Sequence, residues 1–146
     1  MEILRWARAN GCDGDDFVCS FAAKRGDLDC LRWARANGCP WIPVTCQQAA
    51  GAGHLAVLQW ARENGCPWRA GRFWAAARGG HLVVLQWARL NACAWKSSTC
   101  CTASKSGHLA CLKWARENGA QWERESCLLA AQKGGHLRVV EWILKS

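Results

Sequence analysis

Apolar residues recur in this chain at two spacings at once. Over short stretches they fall three and four apart: Leu55, Leu58 and Ala61, with Val57 and Trp60 alongside, mark one buried face of a helix over about 55–64. Over the whole chain the pattern returns every 27 residues, at Trp6, Trp33, Trp60, Trp87 and Trp114, with Trp142 one residue late. A second set, Trp41, Trp68, Trp95 and Trp122, keeps the same period. A third runs through His54, His81 and His108 and reaches His136 with the same slip. A fixed period of this length predicts tandem structural repeats.

One unit reads from Trp41 to Pro67 and returns from Trp68, Trp95 and Trp122, with a variant copy from Gly14 to Pro40. The predicted organisation is a single array over 1–146: a half repeat at 1–13, then repeats at 14–40, 41–67, 68–94, 95–121 and 122–146. Each unit is too short to enclose a core and buries its apolar face only against its neighbours. Within the unit, Asn64 and Gly65 terminate the longer helix and Pro67 cannot continue it. A shorter, Ala-rich helix is predicted over about Thr45 to Ala52, capped by Thr45 and closed by Gly53. No segment alternates apolar and polar residues with β-branched enrichment, so no strand is expected. The expected fold is all-α, built of stacked helix-turn-helix repeats. Burying an indole removes about 150–250 Å² from water, roughly 4–6 kcal/mol gross. On that ground Trp33, Trp60, Trp87 and Trp114, with Leu55 and Leu58, are the predicted core.

Gly53-His54-Leu55-Ala56-Val57-Leu58, Gly80-His81-Leu82-Val83-Val84-Leu85, Gly107-His108-Leu109 and Gly135-His136-Leu137-Arg138-Val139-Val140 resemble the segment that opens the second helix of an ankyrin repeat. Asn64-Gly65 sits where that repeat ends its second helix. The chain as a whole is similar to a 27-residue variant of the ankyrin family. The resemblance implies an α-solenoid that binds partner proteins. There are departures: Thr45-Cys46-Gln47-Gln48-Ala49-Ala50 lacks the histidine of the ankyrin first-helix motif, and the unit lacks the residues that would build β-hairpin fingers between repeats. The implied fold is therefore an ankyrin-like solenoid without fingers.

Composition narrows the setting. Of 146 residues 51% are hydrophobic, which fits a packed chain. The 11 cysteines are an odd count and fit reduced thiols better than a disulfide framework. With no apolar run near the roughly 18 residues a membrane helix needs, the expectation is an intracellular, cytoplasmic protein without a membrane segment. The net charge is +8, unevenly spread: residues 1–30 carry four basic and six acidic groups, residues 31–122 eleven basic and two acidic.

The chemistry-bearing residues mostly follow the repeat. Asp27 stands in the register of His54, His81, His108 and His136, and both residue types accept hydrogen bonds from free backbone N–H groups at a helix start, so all five are predicted caps. Histidines on stacked helices roughly 8–10 Å apart cannot converge on one zinc. Cysteines recur at Cys12, Cys39, Cys66 and Cys93 and at Cys19, Cys46, Cys100 and Cys127, and read as small buried hydrophobes. The adjacent Cys100 and Cys101 point different ways, which makes one of them a candidate for oxidation. Arg8, Arg35, Arg62, Arg89 and Arg116 form a ladder whose stems pack while their heads reach water. No metal, cofactor or catalytic set stands apart from the repeat, so no enzyme is expected.

What differs between copies is the candidate binding surface. Ser20, Gln47, Trp74, Cys101 and Leu128 share one register; Lys24, Gly51, Arg78 and Lys105 share another. Arg69, Arg72, Phe73, Trp74 and Arg78 interleave basic and aromatic residues, and Trp74, in register after the core-like Phe73, is the predicted anchor for a partner. The function expected is a non-enzymatic scaffold for protein–protein interaction. The alternatives are a basic module for nucleic acid or another polyanion, and a structural array or a fragment of a longer repeat protein, the last because Met1-Glu2-Ile3-Leu4 aligns inside a second helix.

Overall fold

The computed structural model describes Arg5 and residues 17–67, 73–96 and 98–146. Arg69, Arg72 and, apart from Arg5, the leading half repeat with Trp6, Arg8 and Cys12 lie outside the described residues. Among the described residues the chain forms helices and no strand: α1 (Phe17–Arg25), α2 (Leu28–Ala36), α3 (Val44–Ala52), α4 (Leu55–Glu63), α5 (Trp74–Gly79), α6 (Leu82–Leu90), α7 (Thr99–Ser106), α8 (Leu109–Glu117), α9 (Arg124–Gly134) and α10 (Leu137–Lys145). Each odd-numbered helix pairs with the even-numbered one that follows it. The chain divides into two compact units, Met1–Arg69 and Ala70–Ser146. In the first, α1 packs on α3; in the second, α7 packs between α5 and α9.

Small side chains let these first helices approach closely. Ala22 and Ala23, Ala49 and Ala50, Ala76 and Ala77, Ala103 and Ala131 are all fully buried, beside Cys19, Cys46, Cys100 and Cys127. The second helices supply the bulk: Leu31, Leu58, Leu85, Leu112 and Ile143 are at most 2% exposed, each supported by the alanine or valine positions next to them. Leu58 is therefore core, but the tryptophan expectation needs correcting. Trp33, Trp60, Trp87 and Trp114 are only half-buried, as is Leu55. The reason is helical geometry: Trp60 lies two residues, about 200° of rotation, beyond Leu58, so both cannot face the centre of the pair.

The caps divide as well. Asp27 caps α2, its Oδ1 accepting from the Cys30 N–H at 2.9 Å. His54, His81, His108 and His136 occupy the same N-cap position but make no side-chain capping bond, contrary to expectation. In the second unit the ring is used elsewhere. His108 Nε2 donates to the Arg78 carbonyl and His136 Nε2 to the Lys105 carbonyl, each at 3.0 Å. Both acceptors are last-turn carbonyls of the preceding repeat's first helix, groups left without an intrahelical partner. The carbonyl can only accept, so the bond requires the proton on Nε2. Gly80 makes this possible: it turns left-handed at φ +76°, and a Cβ there would stand 2.5 Å from His108 Nδ1.

Two further expectations shift. Thr45 does not cap α3; the helix starts at Val44 with Pro43 at the N-cap. The Thr45 hydroxyl is instead fully buried with no hydrogen-bond partner. The second helices end as expected, with Asn37, Asn64, Asn91 and Asn118 each returning a side-chain N–H to the carbonyl of the tryptophan four residues back. A left-handed glycine follows at Gly38, Gly65 and Gly119, whereas Ala92 holds that conformation at φ +59°.

Candidate functional site

On the second unit an open groove of about 500 Å³ is lined by Trp74, Arg78, Thr102, Lys105 and Ser106. Its geometry follows from the repeat. Trp74 and Arg78 stand one turn apart on α5, and Thr102, Lys105 and Ser106 stand on α7, which packs against α5. Ala75, Ala76 and Ala77, which follow Trp74 on α5, are buried, whereas Trp74 itself is half-buried. Arg78 and Lys105 are exposed, and their backbone carbonyls are the ones fixed by His108 and His136. The groove thus joins an aromatic face, two cations and two hydroxyls, with no carboxylate among its lining residues.

The predicted partner residues are not all brought together. Trp74 and Arg78 share the groove. Cys101 is half-buried on α7 and Leu128 half-buried on α9, neither of them lining it. Gln47 is half-buried on α3, in the other unit. Thr102 and Ser106 are not among the residues that the sequence predicts for the surface. A signal was present: Phe21, Gln48, Ala75, Thr102 and Leu129 share a register that varies as much as the chosen ones. In that register Phe21 and Leu129 are exposed.

A second arrangement is repeated rather than varied. The arginine ladder does not simply reach water. Arg35 lies 4.6 Å from the centroid of Trp41, Arg89 5.5 Å from Trp95, and Arg116 5.0 Å from Trp122. Each of those indoles meets the tryptophan of its own second helix, with centroids 6.1 Å apart for Trp41 and Trp60, 5.6 Å for Trp95 and Trp114, and 5.8 Å for Trp122 and Trp142. The Nε1–H of Trp41 and of Trp95 donates to the carbonyl of Asn64 and Asn118. One repeat's arginine is therefore seated on the first indole of the next repeat's tryptophan pair, and Arg116 reaches the second, Trp142, as well at 5.5 Å. Each cation–π contact contributes about 0.5–1 kcal/mol at such an exposed site.

None of the ten described cysteines is in a disulfide. Burial pushes the thiols of Cys19, Cys100 and Cys111 up to about 11, so they stay protonated and unreactive at neutral pH. Two pairs touch. Cys46 and Cys66 stand 2.8 Å apart, where hydrogen bonding to Cys66 and then burial raise the Cys46 thiol. Cys101 and Cys127 stand 3.1 Å apart. Among the described residues no three His, Cys, Asp or Glu side chains gather as a metal site. Nor is any described helix long and apolar enough to cross a membrane. No protein-family model matches this chain, and no curated protein matches it.

Proposed function

We propose that this chain is an ankyrin-like α-solenoid without β-hairpin fingers, acting as a non-enzymatic intracellular scaffold that binds a protein partner on its first-helix surface. The observation that carries this reading is the groove of Trp74, Arg78, Thr102, Lys105 and Ser106. It pairs a half-buried aromatic, the residue type that most often anchors an interface, with two cations whose backbones are held by the next repeat. Its chemistry suits a peptide segment that carries an apolar side chain beside a carboxylate. Selection from a displayed random-peptide library on the 146-residue chain should enrich acidic sequences with an aromatic or aliphatic anchor. Trp74→Ala should then weaken the selected peptides about ten-fold or more, 1.4 kcal/mol, with an unchanged helical spectrum. Enrichment without acidic residues, or binding indifferent to Trp74→Ala, would defeat the proposal.

The net charge of +8 supports a second reading, a polyanion-binding module. Its signature is affinity for a fluorescent oligonucleotide that falls steeply with salt. Charge reversal at Arg78 and Lys105 should abolish it. Salt-independent affinity would exclude that reading.

A further inference from the structure

Cys101 and Cys127 sit on neighbouring first helices, α7 and α9, with their sulfurs 3.1 Å apart. A disulfide needs about 2.05 Å between sulfurs, so closure takes a movement of roughly 1 Å. The two thiols differ in access: Cys127 is fully buried, whereas Cys101 is partly open to solvent. We propose that Cys101 and Cys127 form a peroxide-sensitive modification site, in which Cys101 is oxidised first and Cys127 resolves it to a disulfide that staples two successive repeats.

The chemistry closes on these two side chains and one oxidant. The Cys101 sulfur attacks a peroxide oxygen, breaking the O–O bond and giving a sulfenic acid and one water. The Cys127 sulfur then attacks the Cys101 sulfur, the S–S bond forms, and the hydroxyl leaves as a second water with the Cys127 proton. In sum, two thiols are oxidised and one hydrogen peroxide is reduced to two waters. Burial, followed by the contact with Cys101, pushes the Cys127 thiol up to about 12, so the first attack falls to Cys101, and Cys127 reacts only once the adjoining sulfenic hydroxyl takes its proton as it leaves.

The other close pair is the internal control. Cys46 and Cys66 are even nearer, at 2.8 Å, but they are 4% and 2% exposed. Proximity alone would oxidise them first, whereas access selects Cys101 and Cys127. Cys100, next in sequence to Cys101, is fully buried and its sulfur has no part in the pair.

The test treats the native 146-residue chain with a small excess of hydrogen peroxide, alkylates the remaining thiols under denaturing conditions and maps the tryptic peptides. The expected product joins peptides 97–105 and 125–133, lighter by two hydrogens and separated again by dithiothreitol, while Cys46 and Cys66 are fully alkylated. Peptide 97–105 also carries Cys100, so Cys100→Ala must retain the crosslink and Cys101→Ala must lose it. The oxidised chain should unfold at a higher temperature, with the gain removed by reductant. Overoxidised Cys101 without a crosslink, a crosslink that survives Cys101→Ala, or oxidation of Cys46 and Cys66 ahead of it would each overturn the proposal.

Discussion

Where Arg89 stacks on Trp95, itself packed against Trp114, the same residue types return from repeat to repeat; where Trp74, Arg78 and Lys105 line the groove, they change from one copy to the next. The difference lies in what the scaffold takes from each position. At the stacked edge it takes side chains: an indole pair, a guanidinium over it, an asparagine closing the helix. At the groove it takes backbone. The carbonyls of Arg78 and Lys105 receive the next repeat's histidines, and any residue has that carbonyl. A surface whose framework is fixed through main chain is free to carry Arg, Lys or Gly without loss of fold. That freedom suits a binding face, whose residues answer to the partner rather than to the repeat.

The largest effect expected at the framework is at Gly80. An alanine there meets a positive φ and a histidine ring 2.5 Å from its Cβ. Gly80→Ala should therefore cost about 2–4 kcal/mol in urea unfolding. At Gly65, also left-handed but with nothing within 4 Å of an added Cβ, the same change should cost only about 1 kcal/mol. Equal costs at the two glycines would remove the histidine contact from the account. The smallest effect is a gain. Ala92 stands in the left-handed position that its counterparts fill with glycine, so Ala92→Gly should stabilise by about 0.5–1 kcal/mol. A loss at that position would mean that the methyl packs usefully.

Much of this framework was legible in the chain. The helix over about 55–64 appears as Leu55–Glu63, with Asn64 as its C-cap and Gly65 left-handed after it. These features are local, set by side-chain spacing and backbone preference, and sequence carries them directly. What escaped was contact between repeats. The histidine register marks the start of the second helix, but nothing local tells that the ring leaves its own helix to reach a carbonyl 30 residues back. The tryptophan period reads as core because burial of an indole is so favourable. The alternative, an edge position such as that of Trp60 between Trp41 and the preceding repeat's Arg32, requires knowing which neighbours stack. Thr45 has the residue type of a cap, yet it lies one residue inside the helix with its hydroxyl buried and unbonded. At the groove, Trp74 stands out as an aromatic among small residues. Thr102 and Ser106 do not, because small half-buried hydroxyls on α7 differ little from the small residues around them, and the variation in the Thr102 register is visible only when the copies are compared.

If the edge holds the fold while the proposed groove is free to meet a partner, a pair of variants separates the two in one experiment. Urea unfolding and binding of a groove-selected peptide are measured for Arg78→Ala with Lys105→Ala, and for Trp114→Ala. The double variant should unfold within about 0.5 kcal/mol of the parent yet lose about ten-fold or more in affinity. Trp114→Ala should lose about 2–3 kcal/mol and bind the peptide normally while native. A double variant as unstable as Trp114→Ala, or one that binds like the parent, would contradict the account.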